Sequence, residues 1–386
     1  MFFFDRAFRS FFLGGAVFAS LAMWVWWWNY PLPRMPLAGV VPLHWHAHEM
    51  VFGYALATVT GFLLTAVMNW TGANSASGRL LALIFAFWVG ARLGYLINSP
   101  LWLIALLDLS FALGLFLHFV VPIIRARQWK QMGLASKFLM LFLANALFYA
   151  GVAGWYSQGA DYGITLGLFL VLAINLTMMR RLIPFFTEKA LGLPEMPNSK
   201  WIDIFAIVGF LALMIAAAFF PTHWATSVIA FPLAATHLIR AVRWYHPRIW
   251  RITLLWPLHV SYAFMISGML LYGFTGLDLV NESQAIHGLA AGGIGLLCSS
   301  IMARIGLGHT NRNVFEPPAS VNGIFALLAA TAVVRVFMPI AFPSHYILWI
   351  HLAQWGWSLA FLWLAALYWP ILARPEPESD SGLRLL

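Results

Sequence analysis

Runs of about twenty apolar residues recur along the whole chain, and this feature restricts the fold more than any other. Such a run is long enough to cross the hydrocarbon core of a bilayer as an α-helix. The chain is 62% hydrophobic and only 9% charged, whereas a soluble domain carries about 25% charged residues. The sequence therefore predicts an all-α integral membrane protein with twelve transmembrane helices, at residues 8–28, 47–68, 79–97, 101–124, 134–157, 162–184, 201–220, 224–242, 252–274, 285–304, 320–342 and 346–370.

The first apolar run ends in three consecutive tryptophans rather than in small residues, so we interpret it as a retained helix and not a cleaved signal peptide. Residues 1–372 are predicted to form one membrane domain, followed by a polar cytoplasmic tail at 373–386. The longest loop, at 187–200, lies at the chain midpoint and suggests two halves of six helices, although no internal sequence repeat supports this division. The single Cys298 excludes a disulfide framework, and the absence of C-x-x-C-H excludes covalent c-type haem.

The basic residues predict the orientation of the helices. Of 22 lysines and arginines, 19 lie at the N-terminus, around the ends of the even-numbered spans and the loops that follow them, or in the tail. The opposite loops hold only Arg34, while Arg92 and Arg335 lie inside predicted helices. Because cytoplasmic loops are enriched in basic residues, both termini are predicted to be cytoplasmic. The anionic cytoplasmic leaflet accounts for the net positive charge, so no nucleic-acid partner is expected.

Three histidines and a carboxylate cluster where the chain enters the second span, in the sequence HWHAHE. In a helix, His44 and His48 share a face and His46 points away; in an extended segment all three can converge. Neutral imidazole is a good ligand for copper, iron and zinc. The cluster, which ends at Glu49, therefore indicates either a metal site or a polar patch at the membrane interface.

Other histidines lie at two depths in the predicted topology. His287 opens the tenth span on the periplasmic side and His351 lies in the twelfth, whereas His237, His259 and His309 lie in the cytoplasmic half. A histidine inside lipid needs a partner, which is either a functional site or a hydrogen bond to a neighbouring helix. The remaining histidines are interpreted as ordinary loop or interfacial residues: His118, His223, His246 and His345.

Charged and small residues inside the spans give further expectations. Arg92 and Asp108 are predicted at similar depth and can form an ion pair, while Arg335 can either snorkel or bind a haem propionate. Glycine and alanine faces allow close approach of another helix or of a flat macrocycle. They occur in the second and tenth spans, which we expect to be neighbours: Gly53, Ala57 and Gly61, and Gly288, Gly292 and Gly295.

Five segments resemble the NnrS family, in the family's order and over most of the chain. The first and last are long and specific, and Met68 departs from the proline that the family more often has before Asn-Trp-Thr-Gly. The segments are HWHAHEMVFGYALATVTGFLLTAVMNWTG (His44–Gly72), RLIPFFT (Arg181–Thr187), HLIRAVRW (His237–Trp244), WPLHVSY (Trp256–Tyr262) and HGLAAGGIGLLCSSIMARIGLGHTNR (His287–Arg312).

The resemblance implies a bacterial inner-membrane protein that contains haem b and copper and protects against nitric oxide. By motif, the metal ligands it implies are His46, His48, His237, His259, His287 and His309. Five further residues are candidates although they are not among these motif histidines. His44 is a candidate metal ligand, and the candidate cofactor-binding residues are His351, Arg304, Arg312 and Arg335.

Three functions remain open at this point, and no catalytic residue is identified. The first is reduction of nitric oxide to nitrous oxide with electrons from quinol. The second is non-catalytic binding of nitric oxide or a metal nitrosyl, and the third is transport. The topology separates the ligands into a periplasmic trio (His46, His48, His287) and a cytoplasmic trio (His237, His259, His309), which favours two metal centres over one.

Overall fold

The computed structural model describes residues 2–375, and every regular element in this part of the chain is helical. Twelve helices are long and apolar enough to cross a membrane. They are α1 (Ala7–Asn29), α2 (Pro42–Thr71), α3 (Gly78–Leu96), α4 (Leu101–Arg125), α5 (Trp129–Val152), α6 (Gly159–Leu191), α7 (Lys200–Phe219), α8 (Trp224–Trp244), α9 (Trp256–Thr275), α10 (Glu282–Gly308), α11 (Ser320–Ala341) and α12 (Pro343–Leu372).

The twelve predicted spans are confirmed in number and order, so the chain is a multi-pass membrane protein. Most ends agree within a few residues, and the largest differences are extensions. Helix α2 begins at Pro42 and so includes the whole histidine cluster, and α6 continues to Leu191. Most of the predicted tail, at 376–386, lies outside the described residues.

The chain packs as two compact units. Unit 1 comprises Met1–Val171, Ile301–Arg312 and Phe361–Leu386, and unit 2 comprises Leu172–Ser300 and Asn313–Ala360. In unit 1, α1 packs on α2, and α4 packs on both α3 and α5. In unit 2, consecutive helices pack on each other from α7 to α11. The pairs are α7–α8, α8–α9, α9–α10 and α10–α11.

Two helices carry a long π-helical segment directly after a motif histidine. In α2 the α-helix Pro42–His48 continues as π-helix over Glu49–Ala55, and in α10 the π-helix Gly288–Gly295 follows His287. Runs of this kind are rare and frequently mark functional sites, because the wider turn shifts the side chains that follow it. The same two helices are the most enclosed, with 89% and 78% of their central residues buried.

Peripheral helices show the opposite pattern and identify the lipid-facing surface. Only 33% of the central residues of α7 are buried, and its large exposed side chains include Trp201, Phe205 and Val208. Apolar side chains are stable in this position because the surrounding hydrocarbon is as apolar as they are.

The glycine faces are helix-packing surfaces. A methyl group placed on Gly61 of α2 would lie 2.7 Å from the Phe12 ring, and one on Gly292 of α10 would lie 2.3 Å from the Phe264 ring. Each face is therefore covered by an aromatic side chain of a neighbouring helix in the same unit, as the packing interpretation predicts.

Candidate functional site

The three histidines of the HWHAHE cluster point to three different surroundings in unit 1. His44 Nε2 lies 2.9 Å from Asp161 Oδ1, and both side chains are substantially exposed. His46 is buried and its ring stacks on Trp26, with centroids 4.6 Å apart and planes 7° apart. His48 is fully buried and faces Glu49. The helical conformation turns His46 away from the other two, because residues two apart on an α-helix do not share a face. His44 and His48 are four residues apart, and each contacts a different partner.

His48 belongs to a buried polar network between α2, α4 and α5. Its Nδ1 lies 2.9 Å from Glu49 Oε1, and its Nε2 lies 2.8 Å from Asn145 Oδ1. The Asn145 amide in turn donates to Asp108 Oδ2 at 2.8 Å, and the Tyr149 hydroxyl donates to the same oxygen at 3.1 Å. Apart from Tyr149, which is 5% exposed, the members of this network are completely buried.

Arg92 of α3 completes the network, and the predicted pairing of Arg92 with Asp108 is confirmed. Its Nη2 donates to Asp108 Oδ1, and its Nε lies 2.7 Å from Glu49 Oε2. The helix α3 also supports the π-segment of α2, since Trp88 Nε1 donates to the Gly53 carbonyl oxygen at 2.9 Å. Arg92 is therefore held by two carboxylates and does not snorkel out of the protein.

His237 of α8 is the histidine whose surroundings best suit a metal ligand. It is 1% exposed, and its Nδ1 lies 2.6 Å from the Tyr262 hydroxyl of α9. Its Nε2 is buried with no hydrogen-bond partner in the described part of the chain. A buried polar atom that is left unpaired is costly, and it is a position where a ligand can supply the missing partner.

His259 of α9 is half-buried and contacts Thr187 of α6, with 3.1 Å between Nε2 and Oγ1. The Thr187 hydroxyl donates its proton to the Ile183 carbonyl oxygen. Its oxygen can therefore only accept from His259, which places the imidazole proton on Nε2 and the lone pair on Nδ1. The predicted hydrogen bond to a neighbouring helix is thus present for both His237 and His259.

An arginine–aspartate triad lies one turn from His237. Asp203 of α7 accepts from Arg180 at 2.7 and 2.5 Å and from Arg240 of α8 at 2.8 Å. Arg240 is also a near neighbour of Tyr262. The triad therefore lies beside the hydrogen bond between Tyr262 and His237.

His287 and Arg335 meet at one serine in unit 2. The Nδ1 of His287 donates to the Ser283 carbonyl oxygen at 2.7 Å, because a carbonyl can only accept. Arg335 Nη2 donates to the Ser283 hydroxyl at 2.8 Å. His351 contacts Gln354 through Nδ1 at 2.8 Å.

The remaining predicted residues lie at the end of α10 in unit 1. His309 follows the last turn of the helix, as predicted, and its ring lies 5.5 Å from that of Phe8. Arg304 is buried, and Arg312 donates to the Thr310 carbonyl oxygen at 3.3 Å.

Within each unit, the predicted metal ligands have separate surroundings. Within residues 2–375, no three histidine, cysteine, aspartate or glutamate side chains are close enough to share one metal ion. A copper site built from several of the predicted histidines does not fit this arrangement, whereas axial ligation of haem requires one imidazole nitrogen from each side chain. His237 meets that requirement.

Comparison with known proteins identifies the family. A family model described as "NnrS protein" matches residues 2–376, nearly the whole chain. The chain belongs to the NnrS family. The resemblance of the five sequence motifs is thereby confirmed, and membership of the NnrS family supports a role in the response to nitric oxide. A search of the curated proteins found no match.

Several site residues in this NnrS-family chain could not be found from histidine spacing alone. Tyr262 lies three residues after His259, in the same motif, but its partner is His237 on the preceding helix. Asn145 and Tyr149 lie in an apolar span without a motif, and they contact His48 from 97 and 101 residues away. A polar side chain inside a transmembrane run was the available signal.

Proposed function

We propose that the protein is a haem-binding protein of the bacterial inner membrane that binds or reduces nitric oxide, and that His237 would hold haem b. The proposal rests on the surroundings of the His237 ring. The ring is buried and held through Nδ1, and its Nε2 has no hydrogen-bond partner among the described residues. Metal-bound histidines characteristically have this arrangement, in which one ring nitrogen is held by the protein and the other is presented to the metal.

Haem would supply an iron atom that binds nitric oxide, and the polarity of the pocket would decide between binding and reduction. The residues of the protein supply the rest. Tyr262 fixes the rotation of the His237 ring, and the ion pair of Arg240 with Asp203 lies close to it. His259, on the adjacent helix α9, is the candidate for a second ligand.

Copper is left as an expectation from the family resemblance. The histidines predicted as metal ligands have separate partners. Among the described residues, no three histidine, cysteine, aspartate or glutamate side chains could hold one metal ion. No step of the proposed function depends on it.

The location and the electron source are also part of the proposal. The alternation of basic residues supports an inner-membrane protein with both termini in the cytoplasm. Quinol is the donor proposed, because it is membrane-soluble and carries two electrons and two protons. Reduction of two nitric oxide molecules to one nitrous oxide and one water consumes that number of each.

The test is addition of nitric oxide to the purified full chain in detergent, followed by optical spectroscopy. We expect a haem absorption band that shifts when nitric oxide binds. With quinol added, nitrous oxide in the headspace identifies a reductase, and tight binding without turnover identifies a sequestering protein. Protein that lacks haem after expression in haem-sufficient cells contradicts the proposal.

A further inference from the structure

The buried network around His48 has a donor and acceptor pattern that determines where its protons are. The Asn145 amide nitrogen donates to the Asp108 carboxylate, so the Asn145 oxygen faces His48 Nε2. Turning the amide over would place its oxygen against a carboxylate oxygen. An amide oxygen can only accept, and His48 Nε2 must therefore carry a proton.

The second ring nitrogen is also a donor. His48 Nδ1 lies 2.9 Å from Glu49 Oε1, and the other oxygen of Glu49 lies 2.7 Å from Arg92 Nε. A carboxylate paired with a guanidinium is ionised and has only acceptors to offer. Both nitrogens of His48 therefore donate, which is the pattern of an imidazolium cation.

The charges of the network then cancel. Glu49 and Asp108 contribute two negative charges, and Arg92 and His48 contribute two positive charges, while Asn145 and Tyr149 are neutral. Tyr95, whose hydroxyl donates to that of Tyr149 at 3.1 Å, is also neutral. The four charged side chains are at most 4% exposed, on helices that cross a membrane. An uncompensated charge in such a place is strongly unfavourable, so a neutral His48 would leave the network with a costly net charge.

We propose that His48 is the fixed cationic member of a charge-balanced network that holds α2 to α3, α4 and α5, and that it is not a metal ligand. An imidazolium has no lone pair for a metal, and both nitrogens already have partners. Glu49 opens the π-segment of α2, and Arg92 and Trp88 contact the carbonyl oxygens of Phe52 and Gly53 within it. The network therefore also fixes the unusual backbone that follows the histidine cluster.

The direct test is nitrogen NMR of the full chain labelled with ¹⁵N-histidine, in mildly alkaline buffer. Subtracting the spectrum of a His48→Gln/Glu49→Gln variant isolates the His48 signals, and subtracting that of His345→Gln gives an exposed histidine as control. We expect both nitrogens of His48 to be protonated and one nitrogen of His345 to be bare. A bare or metal-bound nitrogen on His48 overturns the proposal.

A thermal-stability comparison provides a second, independent measurement. His48→Gln removes one positive charge, so its unfolding midpoint in detergent should fall by several degrees. Adding Glu49→Gln restores the charge balance and should recover part of the loss. If the double variant is no more stable than His48→Gln, the charge-balance argument is wrong.

Metal analysis separates this inference from the proposed function. The His48→Gln/Glu49→Gln variant should contain the same amounts of haem and copper as the unsubstituted protein. Loss of either metal from a variant that still folds would make His48 a ligand and contradict the inference. Absence of haem from the unsubstituted protein would contradict the proposed function alone, since the NMR measurement does not require haem.

Discussion

At the scale of single residues, the histidines of this chain have different roles although they look alike in the sequence. His48 has a partner at each ring nitrogen, whereas His237 has one at Nδ1 and none among the described residues at Nε2. The difference comes from neighbouring helices. Glu49 and Asn145 surround the first ring, and Tyr262 holds only one edge of the second.

The role of Tyr262 can be tested by removing its hydroxyl. We expect Tyr262→Phe to keep the aromatic packing and to retain haem, but with a shifted absorption band and about 10- to 100-fold weaker haem affinity, since the ring of His237 is no longer oriented. Haem titration followed optically measures both effects. Tyr156→Phe, in the exposed loop after α5, is the matched control. An unchanged spectrum and affinity in Tyr262→Phe would show that Tyr262 does not position the ligand.

At the scale of helices, close packing of α9 on α10 positions the π-segment that follows His287. A methyl group on Gly268 would lie 2.7 Å from the backbone nitrogen of Leu289, which belongs to that segment. Backbone cannot move aside as a flexible side chain can. The absence of a side chain at Gly268 is thus a requirement of the α9–α10 contact.

We therefore expect Gly268→Ala to lower the free energy of unfolding by about 1–3 kcal/mol, the usual cost of overpacking. The matched control is Gly133→Ala in α5, where nothing lies within 4 Å of the added methyl group. That variant should be neutral or slightly more stable, because alanine favours a helix over glycine. Thermal unfolding in detergent compares the two, and equal midpoints would contradict the packing argument.

The helices were predictable because the sequence of each one is enough to predict it: each is a continuous apolar run bounded by charged or turn residues. The pairing of Arg92 with Asp108 was predictable because a buried arginine needs a carboxylate at its own depth. The π-segments and the partners of His48 were not. They depend on which helices become neighbours, and Asn145 is 97 residues from the histidine it contacts.

At the scale of the whole molecule, the predicted histidines are distributed over both compact units. Those in the HWHAHE cluster and His309 belong to unit 1, and His237, His259, His287 and His351 belong to unit 2. The prediction of one metal centre near each membrane face stays a prediction. So does the expectation that α2 and α10 are neighbours. The described geometry instead favours His237 over the conspicuous cluster as the ligand that fixes the haem.

Haem retention in a His237→Ala variant tests whether His237 holds haem. The full chain, this variant and an exposed-histidine control, His345→Ala, are purified in detergent, and haem is measured per polypeptide from the absorption spectrum. We expect the unsubstituted chain and His345→Ala to carry the same haem content, and folded His237→Ala to lose most of it. Equal haem content and an identical spectrum in all three proteins would contradict the proposal that His237 holds haem.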